Sequence, residues 1–134
     1  MKNYLRFLFL VFFLVSIDQF SKFIFSEISI CNKNIAWSIR LTPGLLYFFW
    51  LIIFFLLLYF FLKSKISFEK IALTFILSGA LSNIIDRLAR GCVIDFIDLK
   101  FFPVFNSADI YITIGVILLL FTLLKSQGQS PNAK

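Results

Sequence analysis

The chain has 134 residues, 60% of them hydrophobic and 20 of them Phe, with a formal net charge of +6 and no histidine. That is one domain at most, and too much apolar surface for a soluble fold of this size to hide, so a bilayer must be its solvent. The missing histidine removes Ser-His and Cys-His nucleophilic systems and most zinc sites, and no basic run is interleaved with base-reading side chains, so no nucleic-acid partner is expected.

Four segments can cross a membrane at roughly 20 residues per span. The first covers residues 5–25. Its charged start and apolar run imitate a cleavable signal peptide, but no small-x-small cleavage site follows, so it is expected to stay as a helix. Residues 45–62 are apolar throughout and make the plainest span. A tight connection at 63–66 leads to the third span, 67–87, and the fourth covers 106–124. The expectation is an all-α membrane protein with four transmembrane helices in one domain, 1–125, followed by a polar cytoplasmic tail, 126–134. The two long connections, 26–44 and 88–105, emerge on the same face, where a rigid scaffold would carry its site.

Orientation follows from charge. Lys2, Arg6, Lys63, Lys65, Lys70, Lys125 and Lys134 fall on the short-loop side and share it with Glu69, whereas the other cations are scattered among the remaining acids. This slight bias places both termini in the cytoplasm and the long loops outside. Asp18 then lies ~20 Å along the first span. Ser82, Asn83, Asp86 and Arg87 lie near the outer end of the third, and Asn106 and Asp109 at the outer start of the fourth. Three helices thus bring carboxylates to about one depth, where ionisable groups are costly and point to function.

Taken singly, each residue also has a structural reading. Asn106 and Asp109 suit an N-cap and an acid on the helix dipole, a place that also keeps a carboxylate ionised. Alternation in Val93-Ile94-Asp95-Phe96-Ile97-Asp98 suggests a short strand or hairpin arm, with Asp95 on the apolar face of Val93 and Ile97 and Asp98 on the other. Gly79, Ser82, Asn83, Asp86 and Arg90 share one stripe of the third span, a pattern typical of interhelical packing, and Arg87 can pair with a neighbouring carboxylate. Asp18 and Lys22, one helical turn apart, can neutralise each other, or Asp18-Gln19 can bond across to another span. Trp37 in the first outer loop suits an interfacial anchor. Cys31 and Cys92 would bond if they faced an oxidising compartment; two separate small apolar side chains is the favoured reading.

Together these segments resemble the lipoprotein signal peptidase (signal peptidase II) family. Asp18-Gln19-Phe20-Ser21-Lys22 resembles its Asp-Gln-x-(Ser/Thr)-Lys box, and Asn32-Lys33-Asn34-Ile35-Ala36-Trp37-Ser38 its Asn-x-Gly-x-Ala-Phe-Ser loop, with Asn34 and Trp37 in place of Gly and Phe. Ser78-Gly79-Ala80-Leu81-Ser82-Asn83-Ile84-Ile85-Asp86-Arg87, then Gly91-Cys92-Val93-Ile94-Asp95-Phe96-Ile97-Asp98, is similar to its longest motif, and Phe105-Asn106-Ser107-Ala108-Asp109 closes the set in order.

The resemblance implies an aspartic endopeptidase of the bacterial plasma (inner) membrane, with its active site near the extracytoplasmic face beside a small sheet. Its substrates would be diacylglyceryl-modified prolipoproteins, cut before the lipidated cysteine, with membrane lipid around it. No cofactor or metal and no second subunit is implied. Asp95 and Asp109 would be the catalytic pair, supported by Asp18, Asn32, Asn83, Asp86, Arg87 and Asn106. Two adjacent carboxylates share a proton, one serving as base and one as acid, and Asp109 at a helix start is expected to carry more of the charge. Two rival readings remain: a proton- or ion-conducting subunit using Asp18, Asp86 and Asp109, and a hydrolase using Ser21 and Lys22, which point ~100° apart on a helix.

Overall fold

In hydrocarbon a continuous apolar run can satisfy its backbone groups only as a helix, and four such helices form. The computed structural model describes residues 2–33 and 42–128; Asn34, Trp37 and Arg40 of the first outer loop and the end of the expected tail, 129–134, lie outside them. The helices are α1 (Lys2–Ile24), α2 (Pro43–Lys63), α3 (Ser67–Arg90) and α4 (Ser107–Gly128). Each is ~32–36 Å long at 1.5 Å per residue, enough to cross a bilayer core. Helix α4 runs beyond the predicted span because Leu124-Lys125-Ser126-Gln127 contains no breaker before Gly128.

The ends of the elements follow from local chemistry. Pro43 opens α2, where its missing N–H costs nothing. Ser64 Oγ donates to Glu69 Oε2 at 2.6 Å in the tight α2–α3 connection. Gly91, at φ +75°, ends α3 in the left-handed conformation and returns its N–H to the Arg87 carbonyl at 3.1 Å.

Helix α3 is the centre of the bundle and packs on α1, α2 and α4. About 61% of its membrane-spanning window is buried, against 6% for α2, which faces lipid almost all round. The closest approach is between α3 and α4. A Cβ on Gly79 would lie 2.3 Å from the Ala108 carbonyl oxygen, and one on Gly115 2.6 Å from that of Ala72. Small residues two turns apart on each helix therefore face each other's backbone, the arrangement by which membrane helices gain packing contact. At the end away from the long loops, Phe61, Leu73 and Leu77 form an apolar cluster with Phe7, Phe54, Leu57 and Leu119 around it. Phe9, Phe12, Phe20 and Phe23 of α1 point outward, as lipid-facing side chains should.

Two short strands complete the fold. β1 (Ile30–Asn32) pairs antiparallel with β2 (Val93–Asp95), Ile30 opposite Asp95, Cys31 opposite Ile94 and Asn32 opposite Val93. Beyond β2, Ile97 and Phe105 bridge, so the second long loop folds back on itself. The cysteine expectation needs correcting: Cys31 and Cys92 are disulfide-bonded, with Cα atoms 5.5 Å apart. Strand pairing brings them together from 61 residues apart, a proximity that their spacing in the chain does not announce.

Candidate active site

The polar residues of three helices meet under the two-stranded sheet. At the base lies a buried charge cluster. Asp18 on α1 accepts hydrogen bonds from the Ala108 N–H at 2.8 Å and from Ser82 Oγ at 2.6 Å, and its Oδ2 lies 2.6 Å from Lys22 Nζ. Lys22 also reaches Asp86 Oδ2 at 2.7 Å and donates to Asn83 Oδ1 at 3.0 Å. Asp86 takes further bonds from Gln19 Nε2 at 2.9 Å, from Arg90, and from the Ile94 N–H of β2 at 3.3 Å. Asp18 and Asp86 are fully buried, which they tolerate because Lys22 and Arg90 balance them and every carboxylate oxygen has a donor.

That cluster fixes two pieces of backbone, the start of α4 through Ala108 and the middle of β2 through Ile94. Those are the pieces that carry Asp109 and Asp95. Asn106 and Asp109 form a reciprocal cap: Asn106 Oδ1 accepts the Asp109 N–H at 3.0 Å, and Asp109 Oδ2 accepts the Asn106 N–H at 3.2 Å. Strand alternation turns Val93 and Asp95 inward, both buried, and leaves Asp98 exposed beside Lys100.

One amide network joins the two inward acids. Asn106 Nδ2 donates to Asp95 Oδ1 at 2.7 Å and to Asn83 Oδ1 at 3.1 Å, and Asn83 Nδ2 donates to Asp109 Oδ1 at 3.0 Å. Asn32, on β1, donates to Asp95 Oδ2 at 2.9 Å. Burial pushes the Asp95 carboxyl above the ordinary carboxylate range, against the Asn32 and Asn106 hydrogen bonds; the charge of Asp109 pushes the same way. Arg87 is close enough to feel both Asp95 and Asp109. Asp95, Asp109, Asn32, Asn83 and Arg87 line a cavity of about 630 Å³ whose other walls are mostly apolar, from Leu99, Phe101, Phe102 and Phe105 of the second long loop and Ile110 and Ile114 of α4.

All eight residues singled out in the sequence thus converge, in two tiers. Asp18 and Asp86 lie in the buried cluster, and the remaining six reach the cavity or its amide network. Gln19, Ser82 and Arg90, on the polar faces of α1 and α3, join the lower tier, and Lys22 links its two acids. The signal for Lys22 was present: a cation one turn from an acid within an apolar span has to pair in the interior. Ser21 does not join Lys22, because its hydroxyl donates to the Ile17 carbonyl at 2.8 Å while Lys22 is engaged with two carboxylates.

The fold is that of a multi-pass membrane protein, and two solved structures described as bacterial membrane enzymes share it. One superposes with a TM-score of 0.86 at 32% identity, over 96% of this chain and 93% of that one. The other gives 0.80 at 34% identity, over 90% and 93%. Among curated proteins, a lipoprotein signal peptidase of Caldicellulosiruptor bescii is 48% identical over 67 residues, 50% of this chain and 45% of that protein. One from Staphylococcus epidermidis is 44% identical over 102 residues, 70% of this chain and 63% of that protein. The family described as Signal peptidase (SPase) II matches residues 10–125, and the chain belongs to it. It spans about half the length of the curated relatives it matches.

Proposed function

We propose that the chain is a membrane aspartic endopeptidase that removes signal peptides from diacylglyceryl-modified prolipoproteins, cutting on the N-terminal side of the lipidated cysteine. The observation that carries this reading is the pairing of Asp95 and Asp109, from different elements, at one cavity and in one amide network.

The geometry supports a division of labour. Asp109 sits in the first turn of α4, where the helix dipole favours a negative charge, and its two oxygens already accept hydrogen bonds. Burial shifts the Asp95 carboxyl toward its protonated form. Asp109 therefore draws a proton from a water placed between the acids while that water attacks the scissile carbonyl. Asp95 gives its proton to the developing oxyanion; as the C–N bond breaks, Asp109 passes its proton to the leaving amine and Asp95 takes one back from the gem-diol hydroxyl. Arg87, beside both, limits the build-up of negative charge. The pair titrates as a unit, so its pH profile belongs to both acids.

The apolar walls suit a substrate whose acyl chains stay among lipid tails while its peptide reaches the acids. The Cys31–Cys92 bond supports an oxidising, extracytoplasmic setting for the sheet and cavity, with both termini and the 126–134 tail in the cytoplasm of a bacterial plasma membrane. Every group invoked comes from one chain, so a monomer suffices. The test is cleavage of a diacylglyceryl-modified prolipoprotein by the purified protein in detergent. Wild type is expected to cut beside the lipidated cysteine and folded Asp95→Asn and Asp109→Asn to be inactive; cutting by either variant would refute the dyad.

A further inference from the structure

The disulfide lies apart from the reacting groups, yet Cys31 is next in sequence to a residue that holds one of them. Strand β1 holds Asn32, which donates to Asp95, and Cys31 immediately before it. In the register observed, Asn32, Val93 and Asp95 face one side of the sheet, and Cys31, Ile94 and Cys92 face the other. The bond therefore grips the sheet from behind and enters none of the chemistry.

The two strands are unequally anchored. β2 is tied to α3 through the Asp86 bond to the Ile94 N–H, and Cys92 and Val93 beside it are buried. β1 has three residues, packs chiefly on β2, and exposes Ile30 and Cys31. A two-stranded ladder of that length is marginal by itself. The covalent link to the anchored Cys92 adds to that ladder in seating β1, and with it the Asn32 amide on Asp95.

The geometry points to the Cys31–Cys92 disulfide as a redox-sensitive positioning device: intact, it seats Asn32 on Asp95, and its reduction frees β1 and slows turnover. The inference rests on the proposed peptidase reading. Formation of the bond removes two protons and two electrons from the thiols. They pass by thiol–disulfide exchange to the disulfide of an extracytoplasmic thiol oxidoreductase, which leaves as its dithiol. Reduction is the reverse, and the attacked sulfur is that of exposed Cys31, with buried Cys92 as the leaving thiolate.

The experiment compares kcat, KM and the pH profile of the purified protein before and after a phosphine reductant, with free thiols counted by alkylation and mass. Asp95 is faced by Asp109 from α4, Lys22 from α1 and Arg87 from α3, besides the amides of Asn32 and Asn106. Those charged groups stay in place on reduction, so a shift reports the loss of the Asn32 hydrogen bond, which holds the Asp95 pKa down. The oxidised protein is expected to show no free thiol. Reduction is expected to lower kcat about tenfold, roughly the upper end for the loss of one ordinary hydrogen bond, with little change in KM, and to move the limb set by Asp95 to higher pH. Cys31→Ser and Cys92→Ser should match the reduced enzyme and ignore reductant, and Asn32→Ala should already be slow and equally insensitive. Free thiols in protein purified without reductant would overturn the inference, as would an unchanged kcat and pH profile after both thiols are shown to be free. Should the oxidised wild type cut no prolipoprotein at all, it is the peptidase reading that fails, and the thiol count still reports whether the bond exists.

Discussion

Asp18 on the first helix accepts the backbone N–H of Ala108 at 2.8 Å, so α1 caps α4 from across the bundle. The same carboxylate holds Ser82 and Lys22. Asp18→Ala removes all three at a fully buried point, and breaking a buried pair in this way costs about 3–5 kcal/mol. Asp18→Asn keeps an acceptor for Ala108 and should lose less. Thermal unfolding in detergent ranks the three proteins, and an Asp18→Ala midpoint equal to wild type would show that neither cap nor ion pair contributes.

Lys22 and Arg90 both meet Asp86 but differ in surroundings. Lys22 is 1% exposed and serves two carboxylates, so Lys22→Met leaves Asp18 and Asp86 buried without their shared cation, again at about 3–5 kcal/mol. The Arg90 side chain is 36% exposed, and Asp86 keeps Lys22 without it, so Arg90→Ala should cost less than about 1 kcal/mol. Equal losses in the two variants would contradict this ordering.

The α3–α4 contact gives a steric prediction. In Gly79→Ala the new methyl would sit 2.3 Å from the Ala108 carbonyl, a backbone atom that cannot swing aside. Forced separation of packed elements costs roughly 1–3 kcal/mol, and it displaces the start of α4, so cleavage falls together with stability. Gly44→Ala meets nothing within 4 Å and is the control, expected to lie within about 0.5 kcal/mol of wild type.

Two acids close in sequence should show opposite pH dependence. Burial raises the Asp95 pKa from its ordinary 3.8, so the folded state holds that proton more tightly than the unfolded chain. The stability gained is present at low pH and lost as pH rises through the raised value. Unfolding midpoints measured from pH ~4 to ~8 should therefore shift in favour of Asp95→Asn as pH rises, while cleavage drops at least ~100-fold throughout. Exposed Asp98 has its pKa lowered from 3.8 by hydrogen bonds from Lys100. Its contribution is present above 3.8 and lost as pH falls through the lowered value, so Asp98→Asn should trail wild type slightly near neutrality and converge with it in acid. Asp98→Asn is expected to retain cleavage.

Residues whose meaning is set along one element were legible in the sequence. The spans follow from apolar length, the Asn106–Asp109 cap from its spacing, and the inward turn of Asp95 from strand alternation. Contacts between distant segments were legible only as a tendency. Three polar-interrupted helices had to bring their acids together, but nothing local says that Lys22 bridges Asp18 to Asp86, or that Asp86 holds the Ile94 backbone. The partner of β2 lies about sixty residues earlier in the chain, and the disulfide depends on that pairing, so the cysteines read as ordinary small side chains.

The close fit of Gly79 on Ala108 and of Gly115 on Ala72 also limits how this molecule can move. Such contacts behave like a pair of detents. A slide of one helix along the other by a turn would drive a branched side chain such as Ile76 or Ile112 into the backbone now covered by a bare Cα. The α3–α4 pair is therefore a fixed post, and among the described residues any widening of the cavity falls to the parts hung around it, such as the loop that ends at Phe105.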